Sequence, residues 1–181
     1  MKCLNTSIWL TLVILLAFAS PGFSQKSESH DSINNTLKIA AREIMNSGRN
    51  CALITLDKDG NPSVRTMEPF PPEDDFTVWF GTGPQTRKVR QIRNNPNVTI
   101  YYTDSDGSGY VAMHGKAQIV NDQSVKDNKW KEAWKAYYKN KTDAYILIKV
   151  FPTWMEVISY SRGIVGDATT WDPPVMMFSS K

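Results

Sequence analysis

Apolar residues along this chain recur in two periods, and the switch between them divides it into elements. From Ser32, a suitable helix N-cap, Ile33, Leu37, Ala40, Ala41, Ile44 and Met45 fall at helical spacing until Gly48, which predicts one amphipathic helix. The period then drops to two. "CALITL" (Cys51 to Leu56) and "SVRTMEP" (Ser63 to Pro69) flank "DKDGNP", whose Asp59-Gly60 pair predicts a hairpin turn. A proline-rich acidic loop leads to a third strand, "FTVWF", and a helix follows from near Pro84 with Val89 and Ile92 turned inward. "NVTIYYTD" and "GYVAMHGKAQIV" form a second hairpin around "DSDGSG"; in the latter strand Val111, Met113, Gly115, Ala117 and Ile119 alternate with mostly polar neighbours. The stretch from Asp122 to Asn140 predicts another helix, its stripe of Trp130, Trp134, Tyr137 and Tyr138 packed inward and its lysines along the margins. "AYILIKVF" and "TWMEVISYS" read as two strands split by Pro152, before an irregular tail. Seven strand-like segments with few helices predict a β-rich α+β domain, an antiparallel barrel or sandwich.

The first 24 residues do not fit that domain. Lys2 precedes an apolar run from Ile8 to Ala19, and small Gly22 and Ser24 stand before a candidate cut ahead of Gln25. This is the layout of a secretory signal, since the run is too short for a comfortable membrane span. A secreted or periplasmic protein is expected, with no stable membrane insertion after cleavage. Export would leave Cys51 as the one cysteine and exclude an internal disulfide. The formal charge of +3 is too mild to name a nucleic-acid partner, and export makes one less expected still.

The position of the cations is more informative than their number. "FGTGPQTRKVRQIRNN" opens with G-x-G, but Thr86 occupies the third glycine position of a dinucleotide fingerprint, and flanking hairpins contradict a parallel sheet. Arg87, Lys88, Arg90 and Arg93 instead crowd the start of a helix, where unpaired amides already carry partial positive charge, and no acid occurs from Thr82 to Thr103. A bound phosphate, with the Thr82 and Thr86 hydroxyls completing its hydrogen bonds, would relieve that conflict. A solvated arginine face is the alternative, and charge alone leaves the two open.

"FGTGPQTRKVRQIRNNPNVTIYY" followed by "GYVAMHGKAQIV", with "VRTM" before them and "VFPTWMEV" after, resembles the flavin-binding core of the pyridoxamine 5'-phosphate oxidase-like split barrels, especially their general stress protein branch. The resemblance covers about Cys51 to Tyr160. It implies a six-stranded antiparallel split β-barrel of Greek-key type with peripheral helices, and a homodimer holding FMN where the subunits meet. It also implies cofactor contacts from Arg65, Thr66 and Met67 on one strand, from Gly81 and Thr82 on the next, and from Thr86, Arg87 and Lys88 at the phosphate. The glycines would then shape a turn. The expected organisation is a signal peptide (residues 1–24), a polar leader (25–31), an FMN-binding domain (32–165) and a C-terminal tail (166–181).

Departures from the oxidase limit its activity as a guide. Its C-terminal Trp, Gln and Gly wedge and Arg-rich run are replaced by "EVISYSRGIVGDATTW", with Ile158 near the Trp position and Arg162 the single cation, and Tyr110 stands where a Gln would meet flavin. A flavin-dependent oxidoreductase of unknown substrate is expected; the alternative is a noncatalytic carrier of flavin, haem or a phosphorylated ligand. No catalytic acid or base stands out, though Arg65 could stabilise negative charge on a reduced ring. No metal site is expected: the Asp57, Asp59, Asn61 spacing has Pro62 where a calcium loop needs Gly, and His30 and His114 lack ligand neighbours, which makes a structural His114 favoured over a haem ligand.

Overall fold

The computed structural model describes residues 25–179; the expected signal segment lies outside them. Helix α1 spans Gln25–Ser47 and so begins seven residues before Ser32. Leu37, Ala40, Ala41, Ile44 and Met45 are buried as the spacing requires, whereas Ile33 is exposed. The strands are β1 Cys51–Leu56, β2 Pro62–Met67, β3 Val78–Thr82, β4 Asn97–Thr103, β5 Gly109–Val120, β6 Ile146–Ser159 and β7 Val175–Met177. Helix α2 covers Arg87–Asn94 and α3 covers Gln123–Asn128. All pairings are antiparallel, in the order β2-β1-β4-β5-β6-β3, with β7 added to β6. This is a split barrel, whose edge strands β2 and β3 do not pair. No helix among the described residues is long and apolar enough to cross a membrane.

The hairpin turns fall where Asp-Gly predicts them, with Gly60 at φ 84 and Gly107 at φ 75, a region other residues enter only at a cost. Two expectations are overturned. Pro152 does not divide two strands: β6 runs unbroken through it, because Pro152 pairs with Gly115 where β5 shifts register, and the ladder tolerates a missing donor there. The stretch 122–140 is not one helix. Asp122 caps α3 by accepting from the Val125 amide at 3.0 Å, but α3 ends at Asn128 and a short 3-10 turn covers Glu132–Ala136.

Aromatic packing outweighs helical periodicity in that stretch. Trp130 and Trp134 meet edge to face at 6.0 Å, and Trp134 does the same against Phe70 at 5.7 Å and Tyr145 at 5.6 Å. The lysines are not a passive margin either, since Lys126 is buried and donates to Asn121 Oδ1 at 2.9 Å. This second cluster covers Trp79 and Leu147 on the outside of the barrel, whereas Leu53, Phe80, Ile100, Met113, Ile148 and Met155 fill its inside. The tail is not wholly irregular, because β7 pairs with β6 from Trp154 to Glu156.

Candidate functional site

Helix α2 spans the opening between the unpaired edges and ties them together through side chains. Lys88 and Gln91 are one helical turn apart and so share a face. Lys88 Nζ donates to Thr82 Oγ1 on β3 at 3.0 Å, while Gln91 Nε2 donates to Ser63 Oγ on β2 at 2.9 Å. Gln91 Oε1 accepts from Thr55 Oγ1 on β1 at 2.6 Å and from Arg65 Nη2 at 3.2 Å. Arg65 is held further by Leu53 O at 2.9 Å and Thr55 Oγ1 at 2.8 Å. Gln91, Thr55 and Ser63 escape a reading of the sequence for charge; the i, i+3 spacing of Gln91 from Lys88 is the signal that finds the first.

Three cations converge where α2 starts. Burial pushes the Arg65 guanidinium below its ordinary value, and the nearby charge of Arg87 adds to the effect. Lys88 is lowered first by burial and then by repulsion from Arg65 and Arg87. None of the three forms an ion pair among the described residues. The first turn of α2 contains no acid, and Thr86 at its N-cap bonds no amide with its side chain; its hydroxyl lies 3.4 Å from that of Thr82. Two hydroxyls, three mutually repelling cations and the unpaired amides of a helix start make a corner suited to one phosphate. This fits the phosphate group of FMN.

The remaining sequence-predicted positions go elsewhere. Thr66 is exposed on the opposite face of β2 from Arg65, as strand alternation dictates, and Met67 packs against the barrel core. Gly81 lies inside β3 rather than in a turn, and neither it nor Gly83 has positive φ. Its missing side chain makes room for Trp134: a Cβ there would stand 2.4 Å from the indole ring. Arg162, the single cation of the C-terminal stretch, is paired with Glu43 of α1, and Ile158 is buried. His114 stacks on Trp154 with centroids 3.7 Å apart and its Nδ1 lies 3.1 Å from Thr99 Oγ1; burial lowers its pKa, which Glu156 partly opposes. Cys51 is a core thiol, raised to about 12 by burial. No metal-holding group of His, Cys, Asp or Glu occurs among the described residues.

Fold and site together define a split-barrel protein with three cations gathered at the start of α2, beside the opening between β2 and β3. The chain belongs to the family described as pyridoxamine 5'-phosphate oxidase like, whose sequence model matches residues 38–161. It is similar to general stress protein 26 of Bacillus subtilis (strain 168), with 35% identity over 100 residues that span 54% of this chain and 69% of the relative. The crystal structure of general stress protein 26 from Bacillus anthracis str. Sterne superposes with a TM-score of 0.62 at 26% identity, covering 78% of this chain and 98% of that one. A pyridoxamine 5'-phosphate oxidase-related, FMN-binding protein from Nostoc punctiforme PCC 73102 shares the fold with a TM-score of 0.56 at 14% identity, over 83% of this chain and 96% of that one.

Proposed function

We propose that this protein binds FMN with its phosphate among Arg65, Arg87, Lys88, Thr82 and Thr86, and acts outside the cytoplasm as a flavin-dependent oxidoreductase. The observation that carries this reading is the convergence of three cations without an acidic partner, two of them lowered by burial and mutual repulsion. Bound there, FMN would supply the electron chemistry, while the protein fixes its place and charge. Arg65, Thr82 and Lys88 hold the anion end in this reading.

The cation corner should recognise phosphate rather than the ring alone. FMN is expected to bind at least about 100-fold more tightly than riboflavin, since two charge-assisted contacts at ~1.5 kcal/mol each supply that ratio. Fluorescence titration of both flavins checks it, and equal affinities would remove the phosphate site. Anaerobic reduction of the bound flavin by NADH or NADPH, followed by oxygen consumption, distinguishes an enzyme; one-to-one binding without turnover indicates a carrier. The tied-up Arg162 and the missing acid-base pair favour a substrate without a phosphate of its own.

The proposed assembly is a homodimer joined through the exposed sheet face. One row of that face runs Val64, Ile54, Thr99, His114, Trp154, Met177, and the next runs Thr66, Ala52, Tyr101, Ala112, Glu156, Val175. Val64, Tyr101, Val175 and Met177 remain 60%, 39%, 47% and 72% exposed, an apolar surface that a second subunit would cover. Val64→Lys should convert a dimer into a monomer in size-exclusion chromatography with light scattering and reduce flavin occupancy with it. A wild-type chain that is monomeric at ~50 μM, where a stable interface with a micromolar or better Kd would assemble, counts against the assembly.

A further inference from the structure

We propose a second ligand site at the split of the barrel, one that takes an acidic amphiphile: an apolar chain ending in a single carboxylate. Along one edge, β6 pairs with β3 through residues 146–150 and with β7 through residues 154–156, and Thr153 O accepts from the Phe178 amide at 3.0 Å, so residues 151 and 152 run beside neither strand there. Helix α1, the loop 74–77 and the tail 177–179 wall this gap and leave a pocket of about 990 Å³. That volume stands at the upper end of the roughly 300–1,000 Å³ of small-molecule sites. Thr77 at the pocket and Thr82 at the cation corner lie at opposite ends of β3, about 17 Å apart at the rise of a strand. The two sites are therefore separate.

Three features of the pocket point to a ligand. Its floor is apolar, formed by Ile39, Phe76, Phe151, Pro152 and Phe178. Thr77 lines it, is fully buried, and its Oγ1 has no hydrogen-bond partner among the described residues, a state proteins rarely leave uncompensated. Phe76 adopts φ 63, a left-handed backbone that a bulky side chain seldom enters. The strained turn is fixed by the Phe76 amide donating to Glu73 O at 2.8 Å and by the Arg42 guanidinium 4.4 Å from the Phe76 ring centre. Strain of this kind gathers at segments that clamp ligands.

Charge at the pocket selects the head group. Lys38 and Lys116 line it without an ion pair among the described residues, and Lys116 Nζ donates to a neutral partner, Asn97 Oδ1, at 3.2 Å. Arg42, by contrast, is occupied with the carbonyls of Glu73 and Asp74, at 3.2 and 2.6 Å. Asp74 and Asp75 also line the pocket and would repel a dianion, which favours a carboxylate over a phosphate.

Calorimetric titration with dodecanoate below its micellar concentration tests the site, with dodecanol and dodecyltrimethylammonium as neutral and cationic probes. Saturable binding of one dodecanoate per chain is expected, with weaker dodecanol binding and the cationic probe weakest. The pair Lys38→Glu and Lys116→Glu should weaken dodecanoate by about 10-fold, the scale of two exposed charge contacts, and leave dodecanol unchanged. Ile39→Trp, on a half-exposed helix position, should narrow the pocket and weaken both; thermal melts verify that these variants fold. FMN affinity, measured in parallel, should not move in any of them. Absence of saturable dodecanoate binding overturns the proposal, as does binding that ignores all three substitutions or follows no order of charge.

Discussion

Replacing Lys88 by Met should weaken FMN binding by about 10- to 150-fold, the equivalent of one charge-assisted hydrogen bond at ~1.5–3 kcal/mol, and at the same time stabilise the flavin-free protein. The second half follows from the electrostatics of the corner. Lys88 is partly buried, repelled by Arg65 and Arg87, and bonded only to the Thr82 hydroxyl, so folding without an anion disfavours its charge. Its folded pKa lies below the ordinary 10.5, which means that the unfolded chain binds its proton more tightly. Stability therefore rises with pH from the folded value up to the unfolded one, so the advantage of the Met variant is full at neutral pH, fades as pH climbs through the folded value and is gone above ~10.5. Cys51 and Tyr102, both raised by burial, tilt the alkaline limb the other way, but they act in both proteins and cancel in the difference. Denaturant melts of the two flavin-free proteins across that range, beside FMN titrations, check both halves. A Met variant with unaltered FMN affinity, or one less stable than the parent at pH 7, contradicts the assignment.

Gly115→Ala is the substitution expected to damage the fold most. A Cβ at this position would lie 2.3 Å from the Phe151 carbonyl oxygen and 3.1 Å from its carbon, and backbone cannot rotate aside as a side chain can. The site is also where β5 shifts register opposite Pro152, so relief would separate the two longest strands of the sheet. A cost of about 3 kcal/mol follows, at the upper end for overpacking, with a fall in Tm of roughly 6–12 °C for a chain of this size. Differential scanning fluorimetry decides it, and a change under ~2 °C would mean that the strand pair has slack there. Gly81→Ala is a useful comparison, because its close neighbour is the partly exposed Trp134 ring, which can shift.

Local rules and tertiary packing divide what the sequence reveals of this fold. Hairpins at Asp59-Gly60 and Asp106-Gly107, the two-residue alternation of β5 and the inward Val89 and Ile92 of α2 each depend on a few neighbouring residues, and each is legible. Distant partners decide the rest. Pro152 reads as a break until Gly115 is known to lie opposite it. The helical spacing of Trp130, Trp134 and Tyr138 gives way because Phe70, Trp79 and Tyr145, far along the chain, offer an aromatic bed. At the candidate site, charge crowding disclosed Arg87 and Lys88, but the neutral residues that orient them carry no such mark. Gln91 has only its spacing from Lys88 to mark it, and Thr55 and Ser63 become visible only when the strands and the helix meet.

That meeting point joins cofactor retention to the integrity of the barrel. The barrel is open between its edge strands β2 and β3, and the buckle across that opening is the same eight-residue helix that presents Lys88 and Arg87. An anion seated beside the buckle favours the fastened state over the open one by mass action. Ligand supply would then set how long the barrel stays fastened, and with it how long the chain resists proteases.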